Sequence, residues 1–279
     1  MKSYHFLHFL LFLLLLPSPS AAQSTFRNAP TAMAKGDRLF AQEKFQDALR
    51  EYRRLPVTVE SLKRVGAANI KLWDMAAAIV ALRDAVKRAP RDSEATALLA
   101  EALSWNGAFD EAAALYRVAL AAGDAAPAVR VGYARTLSWK KDLDGALEQY
   151  RIATTESPDN LDAHMGFAEM LSWKKQFGPA AAAYRRVVSL TTVPAYKAVA
   201  LARIGKVLTW KGDMAGAEGN YREALQHDAK NVDAMFGLGE LHEWKEKYAD
   251  AKRWYQKILQ VQPGHKGAKA KLVQLMWVK

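Results

Sequence analysis

Four histidines outside the N-terminal leader, His164, His227, His242 and His265, are the first side chains to test for chemistry. His242-Glu243 opens like the helix of a zinc protease but lacks the second histidine of that metal site. The chain has no cysteine, which excludes a thiol nucleophile, a thiolate metal centre, a disulfide and a lipid-anchored cysteine. Neither a glycine-rich phosphate loop nor a Gly-x-Ser-x-Gly elbow is present. Carboxylates such as Glu101 and Glu169 stand 68 residues apart with no sign of a shared closed pocket. The expectation is a protein that is not an enzyme, with no catalytic residue, metal or cofactor, whose chemistry is recognition.

Aromatic spacing supplies the candidate for that recognition. Trp105, Trp139, Trp173, Trp210 and Trp244 are separated by 34, 34, 37 and 34 residues. A tyrosine follows each by eleven residues (Tyr116, Tyr150, Tyr184, Tyr221, Tyr255) and an alanine by seven (Ala112, Ala146, Ala180, Ala217, Ala251). Three fixed offsets recurring five times define a repeat. At about 100° per residue, Trp139 lies about 160° from Leu137 and about 140° from Ala134, so it points away from the apolar stripe of its helix. Arg135 is only about 40° away on the same side.

A period near 34, small residues at helix contacts and proline at the unit's end resemble the tetratricopeptide repeat, two antiparallel helices per unit. In that numbering Ala146 takes the small position 20, Tyr150 the aromatic position 24, Ala153 position 27 and Pro158 position 32. Position 8, small in the family, is Ala100, Ala134, Ala168, Gly205 and Gly239. Around Trp73, Ala68 falls on position 8, and a two-residue shortening of the turn brings Ala78, Leu82 and Pro90 into line. A degenerate first unit from about Ala29 keeps Gly36, Phe45, Ala48 and Tyr52 but has Ala41 at the tryptophan's place. The resemblance implies an all-α right-handed solenoid of seven repeats over residues 29–263, closed by a capping helix over 264–279. The extra residues of the 37-residue interval, in SLTTVPAYK from Ser189, are expected to lengthen a loop.

Tryptophan usually stands at position 4 in this family, and here it stands at position 13. Positions 2, 5, 9, 12 and 13 of the first helix line the family's concave groove. Carried over by position, the groove presents Trp105, Trp139, Trp173, Trp210 and Trp244. Beside them come Ser104, Ser138, Ser172, Thr209 and Glu243 at position 12 and Glu101, Arg135, Glu169, Lys206 and Glu240 at position 9. Three roles are open to this aromatic row. It is covered by the lysines that follow directly (Lys140, Lys174, Lys211, Lys245), or it contacts a sugar ring, or it contacts an extended peptide. The Leu-Ser-Trp variant is similar to arrays in bacterial envelope proteins linked to polysaccharide secretion, often fused to an outer-membrane barrel. No alternating strand pattern follows the array, so the barrel's function is not carried over.

A second column stands at position 25: Arg53, Arg83, Arg117, Arg151, Arg185 and Arg222, broken by Gln256. These arginines are expected on the convex side, where Arg117, Arg151, Arg185 and Arg222 form a stripe for an anionic partner or membrane headgroups. The alternative is solvated charge or pairing between neighbouring repeats. Only Arg222 has an acid four residues earlier, Glu218.

The N-terminal segment has one early lysine, an apolar run from Phe6 to Leu16 and small residues at Ser20-Ala21-Ala22. It reads as a signal peptide over residues 1–22, followed by a linker over 23–28, and so as an exported, periplasmic protein. The net charge of +11 becomes +10 without the leader, whose only charge is Lys2. That excess suits anionic partners, with nucleic acid excluded by export. The combined expectation is a scaffold or adaptor that binds an extended segment of another envelope protein. The alternative is a carbohydrate-binding module that holds an anionic exopolysaccharide on its tryptophan ladder.

Overall fold

A computed structural model of the chain describes residues 31–123 and 126–277; the leader over 1–22 and the linker over 23–28 lie outside them. The described residues form fifteen helices and no strand. They divide into two compact units at Ala125–Ala126. The first unit contains three helix pairs: α1 (31–41) with α2 (Phe45–Tyr52), α3 (Val59–Lys71) with α4 (Met75–Arg88), and α5 (Ser93–Trp105) with α6 (Phe109–Ala121). The second contains four: α7 (Pro127–Trp139) with α8 (Leu143–Glu156), α9 (Leu161–Trp173) with α10 (Phe177–Leu190), α11 (Pro194–Lys211) with α12 (Met214–His227), and α13 (Val232–Trp244) with α14 (Tyr248–Val261). A last helix, α15 (Lys266–Gln274), packs on α14.

Several helix starts are fixed by short polar side chains. Asp92, Asn160 and Asn231 cap the first helices α5, α9 and α13, and Asp74, Asp142 and Asp213 cap the second helices α4, α8 and α12. In each case a side-chain oxygen accepts an otherwise unpaired N–H of the first turn. The turn inside each pair needs one left-handed residue two places after the tryptophan, and Gly107 and Gly212 supply it at φ 85° and 89°.

That turn corrects the register of the second repeat. Trp73 itself occupies the left-handed position, at φ 59°, 34 residues before Gly107, while Lys71 ends α3 where Trp105 ends α5. The turn is therefore of normal length, position 8 is Gly66 and not Ala68, and a methyl group on Gly66 would overlap the Leu82 side chain. The 37-residue interval is also taken up differently from expectation. Only residues 191–193 separate α10 from α11, and α11 runs for 18 residues against 13 in α9 and α13. Pro194, with its φ already set and no N–H to satisfy, starts one additional turn of helix. In the first repeat α2 stops after 8 residues, short of Pro56, whose ring cannot continue a helix.

The packing rule is the same in every pair. The residue at position 24 is buried: Tyr52, Leu82, Tyr116, Tyr150, Tyr184, Tyr221 and Tyr255. A Cβ added at Gly36, Gly205 or Gly239 would overlap the tyrosine of its own pair, at Tyr52, Tyr221 and Tyr255. The first helix of the next pair presses on the other face of some rings, with Gly166 against Tyr150 and Gly237 against Tyr221. By register, the residue in that place beside Tyr184 is Arg203, and beside Tyr255 it is Lys271. Ion pairs tie neighbouring repeats within each unit: Arg83 to Glu111 at 2.7 Å in the first, and Lys174 to Asp144 and Lys245 to Glu218 in the second. Glu218 also accepts from Arg222 at 2.8 Å, and Lys245 first, then Arg222, depresses its carboxyl from 4.5 to about 2.

Two stability outcomes follow from this packing. Gly237→Ala should destabilise the second unit by about 1–3 kcal/mol, because Tyr221 is held from both sides and cannot yield. Gly219→Ala, on the same protein but with open space at its Cβ, should be neutral or stabilising by up to about 1 kcal/mol. Urea midpoints of the two variants compare them directly, and equal losses would count against the wedge. Glu218→Gln should cost about 1 kcal/mol near pH 7, because Lys245 and Arg222 are largely exposed and solvent screens both pairs. A depressed carboxyl stabilises the fold above its ordinary value of 4.5, and this contribution is lost as pH falls through about 2. The gap in urea midpoint between wild type and Glu218→Gln should therefore close over that window.

Candidate binding strip

The groove positions inherited by resemblance separate into two sets. Position 12 faces inward: Ser104, Ser138, Ser172 and Thr209 are buried. Ser172 donates to the Ala168 carbonyl at 2.8 Å, Thr209 to Gly205 at 3.0 Å and Ser138 to Arg135 at 2.7 Å. Thr209 and the Tyr221 hydroxyl are 3.5 Å apart, and Tyr255 donates to Glu243, which in turn accepts from Lys271 at 2.9 Å. The serine of Leu-Ser-Trp thus belongs to the core and not to a groove, because a small hydroxyl can bond its own helix and the tyrosine of its partner helix. Burial pushes Tyr150 and Tyr221 up to about 12, so both rings stay neutral at any ordinary pH. Position 5 is mostly covered as well, with Ala97, Val131 and Ala202 buried.

Positions 2, 9 and 13 reach solvent, as a spacing of seven and then four residues on one helix face requires. Among the tryptophans, Trp105 and Trp139 are half-buried. Trp173, Trp210 and Trp244 remain 49%, 47% and 57% exposed, whereas every tyrosine of position 24 is sealed. In the first unit Trp73 stands edge-on to Trp105 at 5.1 Å, so the turn residue still reaches the first-helix indole. In the second unit Phe177 lies 5.9 Å from Trp210, and Trp173 and Trp244 make no ring contact among the described residues.

On two indoles of this column a cation from the turn before lies over the ring. The Arg135 guanidinium is 5.5 Å from the centre of Trp139 and the Lys206 ammonium 5.1 Å from that of Trp210. The following lysines Lys174 and Lys245 instead reach back to the preceding pair, as described above, and leave Trp173 and Trp244 uncovered. Glu101, Glu169 and Glu240 are half-buried at position 9. Burial is the largest influence on the Glu240 carboxyl and pushes it up, with Glu243 adding to that and Lys271 and Lys206 opposing it.

The arginine column is exposed at Arg117, Arg151, Arg185 and Arg222. Its pairing is richer than an i,i+4 rule suggests: Arg151 binds Glu148 three residues earlier at 2.7 Å, and Arg83 binds the next repeat. Arg117 and Arg185 have no ion pair among the described residues. Sequence reading missed Lys63, a buried position-5 lysine whose ammonium lies 2.6 Å from Glu94, 3.0 Å from Glu60 and 3.2 Å from Asp92. Burial opposes its charge, and the three carboxylates outweigh burial and raise its pKa. The signal was the run of acids at the start of two successive first helices. Among the described residues no group of three His, Cys, Asp or Glu is arranged to hold a metal ion, and no helix is long and apolar enough to cross a membrane.

Sequence models of the tetratricopeptide repeat match residues 73–127 and 211–276. No curated protein matches the sequence. Among solved structures, the hetero-tetramer Cut9–Hcn1 of the APC/C is similar over 88% of this chain, at 12% identity and a TM-score of 0.65; the chain spans only 55% of that one. PilF of Pseudomonas aeruginosa is similar over 77% of this chain and 97% of its own, at 17% identity and a TM-score of 0.64. YrrB, described as a TPR protein with an unusual peptide-binding site, is similar over 68% of this chain and 96% of its own, at 21% identity and a TM-score of 0.53. These likenesses are likenesses of fold. With the repeat models, the helix pairs and the glycine-wedged aromatic at position 24, they establish the chain as a tetratricopeptide-repeat protein, an all-α array of the kind that serves as a protein-interaction scaffold.

Proposed function

We propose that the protein is an exported, non-enzymatic scaffold of the cell envelope that binds an extended segment of a partner protein along positions 2, 9 and 13 of its first helices. Export rests on the leader-like residues 1–22. The observation that carries the binding role is the half-exposure of Trp173, Trp210 and Trp244, three large apolar side chains held open on rigid helices beside the charged Glu169, Lys206 and Glu240. Indoles in such a setting are the usual anchors of an interface, with charges at the rim setting specificity. The unusual peptide-binding site described for YrrB makes a peptide a reasonable class of ligand for this fold. A second reading, an exopolysaccharide laid on the indoles, is favoured by the absence of ring contacts at Trp173 and Trp244, which leaves their faces free for a sugar.

The triple variant Trp173→Ala, Trp210→Ala, Trp244→Ala separates these roles. Helical circular dichroism should be unchanged and the loss of stability should be about 1 kcal/mol or less per site, as for exposed positions. Photo-crosslinking from Lys206 in an envelope fraction should capture a partner with the wild type and not with the variant. Loss of helicity would make the indoles structural. Quenching of wild-type tryptophan fluorescence by acidic oligosaccharides, with no protein captured, would select the glycan reading.

A further inference from the structure

In the second unit the position-9 residues alternate in sign: Arg135, Glu169, Lys206 and Glu240. Each precedes the tryptophan of its own helix by one turn, and Arg135 and Lys206 lie against that ring. No ion pair of the described residues uses Glu169, Lys206 or Glu240. First helices α7 and α9 touch, as do α11 and α13, so that each touching couple presents one cation and one anion. Packed helices lie about 8–10 Å apart. A polyproline II segment, with three residues per turn of about 3.1 Å each, puts every third side chain on one edge about 9 Å apart. Same-face side chains of a β-strand recur at about 7 Å and fall out of step with that spacing.

We propose that this strip reads a polyproline II-like segment whose every third residue is charged, with alternating sign: acids opposite Arg135 and Lys206, bases opposite Glu169 and Glu240. Proline or small apolar residues between them rest on the indoles of Trp173, Trp210 and Trp244, the way aromatic-lined grooves accept this conformation. A uniform polyanion is a poor ligand, because at every second repeat it meets a carboxylate. Val199, exposed at position 2 of α11 on the face of Lys206 and Trp210, and Tyr196, exposed on the extra turn before it, widen the apolar floor there. The inference rests on the peptide reading above and adds the conformation and charge order of the ligand.

The probes are two synthetic peptides of one composition: Asp-Pro-Pro-Lys-Pro-Pro written twice, and a block version with both aspartates first. Tryptophan fluorescence of the whole chain should report binding of the alternating peptide about tenfold tighter than the block peptide, since the block order sets like charges against each other. Lys206→Glu, checked by circular dichroism to remain folded, should shift the preference to the version of the alternating peptide whose second aspartate is replaced by lysine, because only the charge opposite residue 206 has changed sign. Equal binding of the two orders, or no change with Lys206→Glu, overturns the inference and leaves the peptide reading standing. Tighter binding of a polyuronate oligosaccharide than of any peptide, or no response to any peptide, overturns both.

Discussion

The close seat of one aromatic ring organises the array. A side chain at position 24 is driven between helices, and its own first helix can approach only where the facing position has no side chain or a single methyl. Gly205 and Gly237 hold Tyr221 from two sides, and Gly66 does the same for Leu82 from one. Everything else about a repeat is placed by that seat. The small residue at position 20 follows from the closeness of the two helices. The hydroxyl at position 12 is drawn inward, and position 13 is left at the end of the helix, turned outward.

How much of this was legible in the sequence depended on whether a residue type had one physical reason to be where it is. Alanine, glycine and tyrosine at positions 8, 20 and 24 had one reason each, and the helix pairs followed from their spacing. Tryptophan had two. As a marker of register it misled at Trp73, because a left-handed turn residue and a helix-ending residue are two places apart and the aromatic stood at the former. Gly66 carried the correct register, since only a missing Cβ admits Leu82. The extra residues near Pro194 were assigned to a loop by their β-branched composition, but proline is as good a helix start as it is a loop residue, and the helix won. The hydroxyls at position 12 are placed in the groove by the family's pattern, which carries no information about the size of the side chain. Their small size and their ability to bond a helix carbonyl are what bury them.

The tryptophans gain their exposure from where the helix ends. A lysine that follows at the C-cap starts to leave the helix and extends toward the preceding pair, where Asp144 and Glu218 wait. A cation one turn earlier stays on the same face and reaches over the ring, as Arg135 and Lys206 do. Cover and tie are therefore separate jobs done by separate residues. Trp173 and Trp244, which have acids one turn earlier, keep open faces, and the most exposed ring of the three is Trp244.

The two kinds of seat for the position-24 ring have a further consequence. Within the second unit the residue of the next first helix that fills this place runs Gly166, Arg203, Gly237, Lys271, and the position-9 charges run in the same two-step rhythm. The architecture repeats with one helix pair, but its chemistry repeats with two, at the 71 residues that separate Trp139 from Trp210 and Trp173 from Trp244. Such a chain is not freely modular. Copying or deleting a single pair would set two like charges side by side and give a ring the wrong neighbour, whereas a block of two pairs could be moved as a whole with both rhythms intact.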